Sequence, residues 1–267
     1  MINIERRAYP WGRAYVVQQN GEELIFPSVT TILKLLENEK YVRLRQEFGE
    51  EKWDKIMANA AERGTIMHRM LELFLLEWDK SRDVEKALKT AQEYAIEEAN
   101  NSDAARLKIV NRARNLFWNF YHDRFWESIS EIVDNEVFLW TQFKGGWAGA
   151  SDFVFRNLEK RLVVDDFKSS TSEKEEDDIL GYKLQIAAYI SKYIILLGYK
   201  LQIAAYMFMC AEKYQEIPAM GRIRVSNENS DQIQTFIVHD YELKEYLKIF
   251  LDLLEKFRAS HMNLETI

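Results

Sequence analysis

The apolar residues of this chain change spacing twice, and those changes divide it into regions. Arg13 to Gln18 and Glu23 to Phe26 flank Gln19-Asn20-Gly21 and predict two short strands around a turn. Pro27 and Ser28 close this piece, and Ser28 is placed to N-cap a helix over Val29 to Leu36. From Glu50 to about Lys80, Trp53, Ile56, Met57, Ala60, Met67, Leu71, Phe74 and Leu75 recur at helical spacing, and Gly64-Thr65 is the expected break between two helices. Asp83 to Asn100 repeats the helical pattern. Asp103 to Ser128 forms a third long helical stretch with an aromatic face of Phe117, Phe120, Tyr121 and Phe125.

Near Ile132 the period shortens. Glu136 to Thr141, Trp147 to Phe155 and Leu162 to Phe167 predict three consecutive strands, with Gly145-Gly146 and Asn157 to Lys160 as turns. Helix is expected again from about Ile179 to Glu212, then strands at Arg222 to Ser226 and Gln232 to Val238, then an amphipathic helix from Tyr241 to about Arg258. The order predicts an α/β or α+β layout around one small mixed sheet, behind a helical N-terminal half. No Pro-, Gly- or Ser-rich linker interrupts it. One domain over residues 1–267 is therefore expected: a mainly helical part over 1–130, a sheet core over 131–240 and a closing helix over 241–267.

Composition narrows the classes. Hydrophobic residues make up 47% and charged residues 30% of the 267 positions, a globular balance that argues against disorder. The lone cysteine, Cys210, excludes a disulfide framework, a Cys-type zinc site and a cysteine-ligated iron–sulfur cluster. No run of 18 apolar residues is present and the N-terminus is polar, so neither a membrane span nor secretion is expected, and the chain fits a reducing cytoplasm. The net charge of −7 counts, at first sight, against a nucleic-acid partner.

Three groups of residues could carry chemistry. Asp166-Phe167-Lys168 ends an apolar strand, so Asp166 and Lys168 share a face, while Asp165 faces away. Asp152 lies on the preceding strand after the small residues Gly149, Ala150 and Ser151. If those strands form a hairpin, the two carboxylates share one edge and make a hard-oxygen site for Mg²⁺ or Mn²⁺, with a lysine beside them. A D-x-K tripeptide alone is common, and a solvated acid pair is the plainer reading. His68 and Glu72, four apart on a helix, share a face; alone they read as a histidine paired with a glutamate. Gln185 and Tyr189, also four apart, read alone as part of an amphipathic helix. The ten residues LGYKLQIAAY occur twice, at Leu180 to Tyr189 and Leu197 to Tyr206, so Gln202 and Tyr206 repeat that pair. On one straight helix the copies stand about 25 Å apart along the axis and roughly 100° apart around it, so they cannot serve one site.

Taken in order, these groups resemble the PD-(D/E)XK nuclease superfamily, in its RecB-type branch with phage-encoded exonucleases and the mitochondrial genome maintenance exonuclease. The resemblance rests on Arg63-Gly64-Thr65 with His68 and Glu72, on Gly149 with Asp152, on Asp166 with Lys168 and on Gln185 with Tyr189. Phe26 to Leu33 resembles the PSVTxIL entry segment of those exonucleases. The resemblance implies a restriction-endonuclease-like core. It also implies that His68, Asp152, Asp166 and the backbone carbonyl of Phe167 hold Mg²⁺ or Mn²⁺, and that Asp152, Asp166 and Lys168 are catalytic. Arg63, Gln185 and Tyr189 would contact nucleic acid, and Glu72 would stand behind the metal or on the helix face. The first copy is expected at the site, since Gln185 follows Lys168 by 17 residues, the shorter family-like spacing. The second copy, however, leads into a strand as the family helix does. With one cysteine the chain is expected in the branch without an iron–sulfur cluster, and no P-loop is present.

The implied activity is metal-dependent hydrolysis of DNA, by an exonuclease on single-stranded or end-containing DNA in a bacterial or phage-infected cell, with roles in repair or recombination. An endonuclease of the same fold and a non-catalytic binding module are the rivals. The resemblance leaves open the polarity, DNA against RNA, and the oligomeric state. Arg106, Lys108, Arg112 and Arg114 before the aromatic run could guide a strand, or simply form a solvated face. Lys144 is a further candidate for phosphate, whereas Trp118 and Trp126 are expected in the core.

Overall fold

Asn20 and Gly21 both take positive φ, 53° and 85°, and turn β2 (Gly12–Gln19) back onto β3 (Glu22–Pro27). The computed structural model describes residues 3–36, 45, 46, 48–170 and 182–261, with residues 182–195 as backbone. A strand not expected from the sequence, β1 (Asn3–Tyr9), pairs antiparallel with β2 and makes a three-stranded sheet. Its sequence, NIERRAY, is too charged to show apolar alternation. Ser28 caps α1 (Val29–Leu33) by accepting from the Thr31 amide at 3.0 Å, and a 3₁₀ turn over Lys34–Leu36 completes the expected segment.

Three long helices follow, α2 (Glu50–Ser81), α3 (Val84–Asn100) and α4 (Ala104–Asp123). Asp83 and Asp103 are the N-caps of α3 and α4. The expected break at Gly64-Thr65 is absent. A glycine inside a helix costs about 1 kcal/mol, which the buried stripe of Ile66, Met67, Met70, Leu71, Phe74 and Leu75 outweighs. At the end of α4, Arg124 enters the left-handed region at φ 54°, so the helix stops short of the expected Ser128. Phe125 and Trp126 then turn into the core on a 3₁₀ turn over Phe125–Ser128.

The main sheet has the order β4 (Ile129–Thr141), β5 (Trp147–Asn157), β6 (Leu162–Ser170), β7 (Met220–Asn227), β8 (Ile233–His239). It is mixed: β6 and β7 run parallel, the other neighbours antiparallel. The parallel pair needs a crossover, which α5 (Tyr182–Tyr214) supplies, and α6 (Leu243–His261) closes the chain. β4 begins at Ile129, earlier than the expected Glu136, because two register shifts near Ile129 and Ile132 interrupt its alternation.

Helices cover both faces. On one face α1, α5 and α6 pack on Val137, Leu139, Val154, Val164, Ile223 and Val225. On the other α2, α3 and α4 pack on Phe153, Phe155, Val163 and Phe167. This is the three-layer, restriction-endonuclease-like arrangement that the sequence implies. The N-terminal sheet docks on β4 through Tyr15 against Phe138, with rings 5.0 Å apart, and Phe26 against Trp140, 5.4 Å apart. A bridge between Ser28 and Ala148 ties it to the start of β5.

One charge on the α4 side is fully buried. Asp165 takes Arg222 in a two-pronged contact at 2.7 and 2.9 Å and Arg224 at 3.1 Å, and Arg224 also reaches Asp123 of α4 at 2.7 Å. Asp165→Ala removes this carboxylate from Arg222 and leaves the buried Arg224 with Asp123 alone. It is expected to cost about 3–5 kcal/mol of stability, read as a shift of the denaturation midpoint in urea.

Candidate active site

Side-chain alternation along β6 sends Asp165 to the α4 side and Asp166 with Lys168 to the α5 side. The register does the rest. Phe153 pairs with Asp165, which sets Asp152 opposite Asp166. Asn135 pairs with Phe153 and Val137 with Ser151, which sets Glu136 opposite Asp152. Three carboxylates therefore stand in a row across β4, β5 and β6. His68 of α2 closes the row: its Nδ1 lies 3.3 Å from Asp152 Oδ1. One ligand atom each from His68, Glu136 and Asp152 lies within 4.8 Å of the other two.

Each acid is held by a specific partner. The Phe167 amide donates to Asp152 Oδ2 at 2.6 Å, while the Phe167 ring is buried against Phe120 and Phe125. Lys168 Nζ pairs with Asp166 Oδ2, and Gln202 Nε2 donates to the same oxygen at 3.2 Å. Gln202 also contacts the Tyr206 hydroxyl at 3.2 Å. Tyr206 explains Gly149, since a Cβ there would lie 2.6 Å from the Tyr206 ring. The glycine three residues before Asp152 is thus a packing requirement of α5 on β5.

The second copy of the repeat is therefore the one beside Asp166. The side chains of Gln185 and Tyr189 lie outside the described residues. Gln185 and Gln202 both fall on α5, and about 25 Å of helix axis separates them. Gln202 and Tyr206 of the second copy stand at the acid row, whereas the sequence expectation favoured Gln185 and Tyr189 of the first. Arg63, expected to touch nucleic acid, is only 5% exposed and pairs with Glu228 just beyond β7, as does Arg112 at 2.7 Å. It fixes α2 to the end of the sheet, while Gly64 and Thr65 line the cleft in its place. Glu72 also lines the cleft and is paired with Arg69 at 2.6 Å. Arg106 is taken up by Glu62 and Glu98. Lys144 is exposed on the turn after β4, Trp126 is buried and Trp118 is half-buried against Tyr121 and His122.

Glu136 is the site residue that the sequence does not single out. It sits at φ 50°, a left-handed conformation rare for glutamate, and its contact with Asp152 exists only across strands. No local spacing encodes such a contact.

The electrostatics fit a cation. Burial raises the pKa of Asp166 to about 6; Lys168 opposes this and Asp152 adds to it. Glu136, whose side chain reaches solvent at the cleft, is pushed up to about 7 by desolvation within the cleft and by Asp152. For Asp152, burial acts upward, but His68, Lys168 and the Phe167 amide outweigh it and lower the value. For His68, burial acts downward, but Asp152 outweighs it and raises the value. Burial likewise opposes the charge on Lys168, and Asp166 with Asp152 raises its pKa above the ordinary value. Two carboxylates that resist ionisation, Asp166 and Glu136, a third that is held ionised, Asp152, and one imidazole form a mainly hard-oxygen donor set suited to a small divalent cation. The cleft around them has a volume of about 510 Å³.

A family model for the PD-(D/E)XK nuclease superfamily matches residues 38–265. Among solved structures, one titled "Crystal structure of SSO0001" is similar at 12% identity, over 62% of this chain and 70% of that one, with a TM-score of 0.34. No curated protein matches the chain.

Two measurements check this geometry. Protonated carboxylates and imidazolium cannot bind metal, so Mn²⁺ affinity is expected to rise from pH 5 to about 7.5, with protons released on binding. Titration calorimetry in buffers of different ionisation enthalpy reads both effects. Gly149→Ala is expected to push Tyr206 aside and cost about 1–3 kcal/mol by thermal unfolding. An unchanged midpoint would show that Tyr206 does not rest on that glycine.

Proposed function

The chain belongs to the PD-(D/E)XK nuclease superfamily, and within it we propose a metal-dependent DNA exonuclease of the RecB-type branch that acts on single strands or free ends. Nucleases of this superfamily use divalent metals. The observation that carries the reading is the convergence of His68, Asp152, Asp166 and Lys168 on one cleft. Glu136 joins them as a further candidate ligand. Preference for single strands or free ends comes with the resemblance to the RecB-type branch; the cleft that would receive the strand has a volume of about 510 Å³. The cleft is walled by α2 on one side and by the N-terminal sheet on the other.

His68, Asp152, Asp166 and Glu136 would hold Mg²⁺ or Mn²⁺, with the Phe167 carbonyl as a further donor. The bound cation supplies Lewis-acid polarisation of the scissile phosphate and acidification of a water. Lys168, kept charged by Asp166 and Asp152, orients the attacking water and offsets charge gathering on the phosphoryl oxygens. Gln202 fixes the Asp166 carboxylate, and Tyr206 fixes Gln202. Attack at phosphorus breaks the bond to the 3′ oxygen and leaves a 5′-phosphate and a 3′-hydroxyl. No helix among the described residues is long and apolar enough to cross a membrane.

The test is digestion of end-labelled linear DNA and of covalently closed single-stranded circles with Mg²⁺, Mn²⁺ or chelator. Linear DNA should be degraded only with metal, and circles should survive; cleaved circles would make the enzyme an endonuclease. Lys168→Ala is expected to lower kcat by about 10²–10⁴-fold while Mn²⁺ binding persists, and Asp166→Ala should lose both. Full activity in either variant rejects the site.

A further inference from the structure

The cleft has a second charged group that the hydrolytic site does not use. Arg6 and Arg13, on neighbouring strands of the N-terminal sheet, line the same cleft as His68, Asp152, Asp166 and Lys168. The register explains why. Arg6 pairs with Tyr15 and Ala8 with Arg13, so Arg6, Arg13 and Tyr15 share one face. Tyr15 anchors that face on Phe138 of β4, two residues from Glu136. Arg13 is fixed further: its amide donates to Thr31 Oγ1 at 3.0 Å, its carbonyl accepts from the same hydroxyl at 2.9 Å, and its guanidinium donates to Thr30 Oγ1 at 2.6 Å.

Their charge is unspent. Arg7, on the opposite face of β1, binds Glu5 at 2.7 Å and Glu23 at 3.2 Å. The other cleft cations are also taken, Lys168 by Asp166 and Arg69 by Glu72. Among the described residues neither Arg6 nor Arg13 has a carboxylate partner. In a chain of net charge −7, two guanidiniums without a carboxylate partner among the described residues stand on the cleft wall formed by the N-terminal sheet, across from the acids. A polyanion needs that arrangement: one phosphate at the acids and its neighbours on cations.

We infer that Arg6 and Arg13 grip backbone phosphates of a single nucleic-acid strand beside the scissile bond, so that the N-terminal sheet is the strand-guiding wall of the cleft. This rests on the nuclease reading, and the experiment separates the two. Steady-state hydrolysis of a labelled single-stranded oligonucleotide is measured with Mn²⁺ across a range of salt, for the wild type, Arg6→Gln, Arg13→Gln, the double variant, Arg13→Lys and Arg7→Gln. Each glutamine variant should raise KM roughly tenfold and flatten the slope of log KM against log salt by about 0.7, the value for one phosphate contact to a single strand. Arg13→Lys should keep the slope, and Arg7→Gln should match the wild type. A double variant with wild-type KM and salt slope overturns the phosphate grip and leaves the nuclease standing. A loss in Arg7→Gln equal to that in Arg6→Gln also overturns it, because general surface charge would then explain the effect. Absence of metal-dependent hydrolysis in the wild type overturns both readings.

Discussion

If β5 slipped by one residue against β6, Asp152 would leave the face of Asp166, and its carboxylate would no longer meet the Phe167 amide. The whole site depends on that register and on the alternation along β6. The adjacent acids Asp165 and Asp166 differ in little but the side they face. Asp165 meets two arginines and is neutralised inside the protein. Asp166 is buried beside Asp152 with one lysine opposing the two effects, and so resists losing its proton until about pH 6. The register is pinned from both faces, by Phe153, Phe155 and Phe167 against α2 to α4 and by Val154 and Val164 against α5 and α6. A one-residue slip would exchange those apolar faces as well. Core packing and site assembly are therefore one constraint.

Much of this was legible in the sequence, for physical reasons. Asp83, Asp103 and Ser28 mark helix starts because an unpaired helix amide needs an acceptor, and each of them provides one. Asp166 and Lys168 share a face because strand period is two. Asp152 could be placed beside them because the turn at Asn157 to Lys160 is short enough to form a hairpin. What escaped was decided by contacts between distant segments. β1 has Glu5-Arg6-Arg7 at its centre and becomes a strand by pairing with the edge that β2 offers. The first half of β4 is bulged, so its alternation is lost. Glu136 belongs to the site through a cross-strand neighbour and an unusual φ, neither of which leaves a local trace.

Arg63 and Gln202 show the same limit from the other side. Arg63 sits inside a motif, yet its partner Glu228 is 165 residues away in sequence and takes it out of the cleft. The choice between two identical ten-residue segments could not come from their own residues. It is made by which one lies over Gly149 and Gly221, where the missing side chains let α5 approach the sheet. A Cβ at Gly221 would stand 2.5 Å from Ile203, and one at Gly149 would meet Tyr206.

α5 also shows how a folded enzyme can absorb extra chain. Its 33 residues hold the second copy of the repeat and the first from Tyr182 onward, and the 17-residue offset amounts to about five helical turns. A helix grows by adding length at an end, along its own axis, and every residue beyond the addition keeps its place. The same insertion inside β5 or β6 would have broken the pairing across the sheet. A chain lengthened in this way keeps Gln202 against Asp166, because the trailing copy is the one joined to β7.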